Sequence, residues 1–178
     1  MLHSNRSLKL TAVALGLTTL ASSARLAAEE RPFEMGVYTN DVSGTQALAG
    51  DYDAAIASAA RGARPHDGMD ALVLSTNLCV AYTAKGNFPH AAWSCDRAVR
   101  IALETDGRSY PLAAGAGSMI ARAFSNRGVL RALSGSSDAA AADFRRAARA
   151  QADSGAARRN LARLETSPAY RVARTGLD

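Results

Sequence analysis

The chain has 178 residues, of which 48% are hydrophobic and only 6% aromatic, and it carries a formal net charge of +5. Scarce aromatics and abundant alanine suit closely packed helices and argue against a sandwich or barrel. Its two cysteines, Cys79 and Cys95, are not spaced as the CxxC of a redox catalyst.

From the N-terminus, residues 1–24 read as a secretory signal peptide. Arg6 and Lys9 supply the positive start, and Leu10 to Ala21 is an apolar run too short to span a bilayer comfortably. Ser22-Ser23-Ala24 offers small residues for cleavage. An uncleaved anchor or a buried helix is the competing reading. No cysteine follows the run and no Arg-Arg pair precedes it, which argues against a lipoprotein and against twin-arginine export. The arginine- and alanine-rich composition points to a GC-rich bacterium, and so to the periplasm as destination. The two cysteines are then an even number in an oxidising space. About 154 residues remain, enough for one domain. Residues 25–42 carry charges, Pro32 and Gly36 without clear periodicity, and are expected to be a partly ordered lead-in.

The helical domain is expected over residues 43–166. Its centre is Leu78 to Ala98, where Leu78, Cys79 and Tyr82 share one helical face and Phe88, Ala91, Cys95 and Ala98 another. Gly86 suits the left-handed end of the first helix, Asn87 the cap of the second, and Pro89 its first turn. Cys79 and Cys95 lie symmetrically about this turn. They are either a disulfide closing a loop of roughly 15 residues or two buried thiols. Gly50 upstream is followed by Tyr52, Ala55 and Ala59, and Gly135 downstream by Ala140, Phe144 and Ala147, at similar offsets. Leu112 to Ile120 extends the first helix of the third hairpin backwards. After Ser154-Gly155, the stretch AARRNLARLE predicts one further helix covering the last hairpin, and residues 167–178 a flexible tail.

This pattern resembles the tetratricopeptide repeat, a helix–turn–helix unit of about 34 residues. Leu78 and Tyr82 match its first-helix positions, and Ala91, Cys95 and Ala98 its second. In the third unit Phe124, Gly128, Ala140, Phe144 and Ala147 follow the same order, while Arg127 and Arg131 stand where the family keeps apolar residues. The resemblance implies an all-α fold of stacked antiparallel hairpins, a solenoid of about three units with a C-terminal capping helix. It also implies a concave binding face lined by first helices. Asn77, Val80, Thr83, Arg122, Asn126 and Val129 would be presented there. Asn77 with Arg122 is similar to a pair with which related adaptors clamp a terminal carboxylate, but Asn126 stands where those prefer a basic residue.

Chemistry is sparse. His66 and His90 lack a second histidine at helical spacing and a partnered nucleophile, so neither a metal site nor catalysis is expected. Gly115-Ala116-Gly117 resembles a dinucleotide loop only superficially, because Ile120 occupies the third glycine position. Trp93 is expected to be partly buried against a neighbouring helix. Residues 122–178 hold 11 arginines against 5 acidic residues, whereas 25–121 hold 8 basic against 11 acidic. Arg145, Arg146, Arg149, Arg158, Arg159 and Arg163 form either a solvated helix surface or a patch for an anionic partner. The expected function is a non-enzymatic protein- or peptide-binding module of the bacterial envelope, without cofactor or nucleic acid. The alternatives are an accessory subunit of an envelope enzyme or assembly complex, and a protein binding phospholipid or cell-wall polymer through its basic helices.

Overall fold

The computed structural model describes residues 33–61, 68–105, 113–168 and 170. The expected signal peptide, residues 25–32, His66, the turn signals near residues 106–112 and the tail beyond residue 170 lie outside the described residues. Among those described there are seven helices and no strand: α1 (Val42–Leu48), α2 (Tyr52–Arg61), α3 (Gly68–Ala84), α4 (Phe88–Thr105), α5 (Ala113–Leu133), α6 (Ser137–Ala150) and α7 (Gly155–Thr166). None is long and apolar enough to cross a membrane.

The helices pair through three bends of one design. Gly50, Gly86 and Gly135 take φ values of 82°, 69° and 87°, a left-handed backbone that only glycine adopts without steric cost. At each bend the glycine N–H bonds a carbonyl three residues back, and the next N–H one five residues back (Asp51 to Gln46, Asn87 to Tyr82, Ser136 to Arg131). This satisfies the orphan carbonyls of the ending helix. The following helix then starts at once, so α1–α2, α3–α4 and α5–α6 are tight hairpins. Asn87 stands at the cap position, but its amide oxygen meets the His90 ring at 2.9 Å.

Odd-numbered helices stand in a row, with α1 against α3, α3 against α5 and α5 against α7; α2, α4 and α6 each also touch the next odd helix. Alanine makes this closeness possible. Ala71, Ala98, Ala102, Ala121, Ala123, Ala147 and Ala157 are buried around Leu72, Ile101 and Phe124. At Gly128 an added Cβ would lie 2.6 Å from the Phe144 ring, so α5 and α6 touch through the missing side chain. The closing helix α7 buries Ala157 and Leu164, and Tyr170 just beyond it joins the cluster around Phe144.

A covalent and an ionic device fasten the hairpins. Cys79 and Cys95 are bonded, with sulfurs 2.02 Å and Cα atoms 4.8 Å apart, stapling α3 to α4. The second device accounts for Arg127 and Arg131. Asp143, 3% exposed on α6, receives Nε and Nη2 of Arg127 at 2.9 Å each and Nη1 of Arg131 at 2.8 Å. Arg127 reaches on to Asp96 at 2.9 Å, tying α4 into the same network. Burial pushes the Arg127 guanidinium down, but its bonds to Asp143 and Asp96 and their charges outweigh this and leave it above its ordinary value. It therefore stays charged at any physiological pH.

Two outcomes follow for stability. Cys79→Ala with Cys95→Ala, or reductant on the parent chain, is expected to remove about 3 kcal/mol in the chain-entropy model. In a thermal melt this reads as a fall in Tm of roughly 10 °C. Asp143→Ala leaves two guanidinium groups without their shared carboxylate and is expected to cost at least about 3 kcal/mol by urea titration.

Candidate functional site

Residues 33–38 cross α7, α5 and α3 in that order, and the asparagines of those helices hold every second residue. Glu34 N–H donates to Asn160 Oδ1 at 2.9 Å, and Asn160 Nδ2 donates to Glu34 O at 2.8 Å. Asn126 does the same for Gly36 at 2.8 and 2.7 Å. Asn77 does so for Tyr38 at 2.8 and 3.1 Å. That alternation belongs to an extended chain, in which residues two apart turn their amide groups to the same edge. From the opposite edge Arg122 Nη1 donates to Val37 O at 2.8 Å.

A carboxamide carries an acceptor and a donor side by side and so matches the N–H and C=O of one residue. Asn77, Asn126 and Asn160 are 0%, 1% and 2% exposed, so their amides are committed to this role. Their orientation is set by neighbours as well. Asn77 Nδ2 also reaches Ser43 Oγ at 3.2 Å, and Asn160 Nδ2 reaches Ser125 Oγ at 3.5 Å. Ser43 itself bonds Asp41, the N-cap of α1. Ser43 to Asn77 and Asn126 to Asn160 are both intervals of 34 residues, and the strap's bonds bring Asn77, Asn126 and Asn160 into one line, with Ser43 beside Asn77.

Side chains of this strap provide the rest of its contacts. Phe33 stacks on Phe144 with ring centroids 6.1 Å apart, and Arg163 lies over its outer face at 5.2 Å. Met35 packs beside Val129 and Leu130, and Val37 beside Ala47, Ala55 and Ala81. Residues 34, 36 and 38 belong to the other face. The Glu34 carboxylate takes Nε and Nη2 of Arg159 at 2.6 Å each. Tyr38 lies under the Arg122 guanidinium at 4.1 Å. Burial raises the Tyr38 phenol above its ordinary pKa, partly offset by Arg122. Where the strap passes α1, a Cβ on Gly44 would come within 1.8 Å of Tyr38 O, so only glycine permits the crossing.

Of the six expected face residues, Asn77, Arg122 and Asn126 bond the strap directly, and Val129 lies in the cluster that receives Phe33 and Met35. Val80 is 7% exposed and Thr83 3%; the Thr83 hydroxyl turns back to Cys79 O at 2.6 Å. Asn160, at the heart of the site, is a residue the motif reading passes over. Its signal was the 34-residue interval from Asn126.

The basic residues are dispersed among local partners. Arg145 meets Glu165 at 2.8 Å, Arg146 lies over Phe124 at 4.9 Å, and Arg158 bonds Ala152 O. Arg159 and Arg163 serve the strap, and Arg149 is exposed at the end of α6. Trp93, expected to be partly buried, is 62% exposed. It rims a hollow of about 360 Å³ with Leu78, Tyr82, Pro89, His90 and Ser94. Among the described residues no helix covers that side of α4, and Arg97 stacks over the indole at 5.4 Å. No cluster of three or more metal-ligating side chains occurs among the described residues. Gly115 and Gly117 lie inside α5 rather than in a loop. Protein-family models, curated proteins and solved structures show no match to this chain.

Asn126→Ala removes both bonds to Gly36 and is expected to destabilise the chain by about 2 kcal/mol in urea titration. Gly44→Ala is expected to cost at least as much, because its new methyl group collides with the Tyr38 carbonyl.

Proposed function

We propose that this chain is an exported, non-enzymatic helical-repeat module, similar to tetratricopeptide-repeat proteins, that binds other polypeptides in the bacterial envelope. The observation that carries the reading is the main-chain clamp. Three asparagines on successive odd helices each bond both amide groups of one residue in an extended segment, a device that recognises polypeptide as polypeptide. The repeat reading draws on the three glycine bends and on the 34-residue intervals Ser43–Asn77 and Asn126–Asn160. Export draws on the apolar, arginine- and lysine-led first 24 residues and on a cysteine pair suited to an oxidising compartment. The engagement of Arg145, Arg146 and Arg159 within the fold weighs toward a protein partner rather than an anionic surface.

Cross-linking of the tagged protein in intact cells, followed by purification, tests this. The expected result is a stoichiometric adduct with another envelope protein and an N-terminus at Arg25. A chain retained in the cytoplasm, or one that turns over an envelope substrate without capturing a protein, overturns it.

A further inference from the structure

Resting on that reading, we propose that the asparagine groove takes an extended segment of a partner protein. Its pattern is large apolar, acidic, apolar, glycine, apolar, aromatic, and residues 33–38 are an internal occupant that such a segment displaces. The strap shows what the groove accepts. Its seven main-chain bonds, six from asparagine and one from Arg122, are indifferent to sequence. Selection therefore falls to the side chains. Phe144 and Arg163 receive an aromatic ring at the first position, and Arg159 pairs with a carboxylate at the second. At the fourth position a Cβ would stand 3.3 Å from Cγ of Arg122, which favours glycine. Arg122 then covers an aromatic ring at the sixth.

Nothing in the strap is fully buried. Phe33, Met35, Gly36, Val37 and Tyr38 are half-buried and Glu34 is exposed, so the strap keeps one side open to solvent while its other side covers Phe144, Val129, Ala47 and Ala81. The strap is therefore the outer layer of the clusters it joins. Without the strap the three carboxamides open to water, which can replace the lost bonds.

The occupant is another protein rather than a second copy. Thr39, Asn40 and Asp41 alone separate the strap from α1, so the tether holds it at an effective concentration on the order of mM. Exchange between two copies would recover the same contacts and still cost association entropy. A foreign segment gains by extending beyond the six positions, or by binding when the strap has opened.

The test uses the full exported chain and a fluorescent peptide, PFEMGVYTN, copied from residues 32–40. A variant with Phe33→Ala and Val37→Ala loosens the internal strap and leaves the groove intact. It is expected to bind the peptide about 100-fold more tightly than the parent chain, because the tethered competitor is weakened. Adding Asn126→Ala should lose about tenfold of that binding. A peptide with lysine in place of glutamate should lose several-fold. No binding at about 1 mM peptide by a variant that keeps its helical circular dichroism overturns the proposal, as does tight binding that Asn126→Ala leaves unchanged. Should the variant fail to fold, hydrogen exchange on the parent chain decides. Amides of Glu34, Gly36 and Tyr38 are expected to exchange well before those of α3 and α5; exchange only on global unfolding makes the strap part of the core and overturns displacement. Concentration-dependent dimers of the parent chain with strap exchange would overturn the choice of partner. In each of these failures a cross-linked envelope protein seated on another face leaves the binding-module reading standing.

Discussion

An extended stretch of polypeptide laid over helices has no neighbouring strand to pair with, yet its amides still need partners wherever water is excluded. Here that requirement is met by side chains that imitate a strand edge, one asparagine per helix. The spacing of those asparagines depends on the lateral spacing of α3, α5 and α7. That in turn depends on alanine and glycine at the helix contacts. A bulkier set of contact residues would spread the helices and break the match between three carboxamides and alternate residues of the strap. Helix packing and strand recognition are thus one constraint seen from two sides.

The same small residues create the fold's weakness. Alanine contacts bury little area apiece, and the hydrophobic return per helix pair is modest. The covalent and the ionic fastening sit where this matters. The disulfide joins the central hairpin two residues beyond Asn77, and the Arg127–Asp143–Arg131 cluster joins α5 to α6 beside Asn126. Removing one member of a buried ion cluster strands the charges that remain, so Asp143, Arg127 and Arg131 depend on one another for their placement. Both devices support the middle of the row, where the clamp needs its register kept.

Much of this architecture can be read from residues. The glycines at 50, 86 and 135 mark the bends, and the symmetric placing of Cys79 and Cys95 about Gly86 allows their bond. Asn77, Arg122 and Asn126 belong to the expected face because the repeat pattern puts them there. What that pattern conceals is their occupant. Phe33, Met35 and Val37 alternate with Glu34, Gly36 and Tyr38, a two-residue period only six residues long, among charges and a proline that hide it. Asn160 is obscured differently, since its helix reads as a cap while its place in the row makes it a fourth first helix. Arg127 and Arg131 look like departures until Asp143, sixteen and twelve residues further on, is seen between them. Trp93 misleads because a large aromatic ring is ordinarily covered, and nothing local in a sequence reveals which side of a helix lacks a neighbour.

The strap runs against the order of the helices: its first clamp is on α7, 126 residues away in the chain, and its last on α3. Closing loops of that length is entropically slow. The Glu34 end of the strap therefore waits for α7, whereas Tyr38 and Gly36 can be held once α3 and α5 have formed. A segment fastened at one end to α7 and at the other to α3 is fully seated only when both of those helices stand in the row, so its complete seating reports the assembled row.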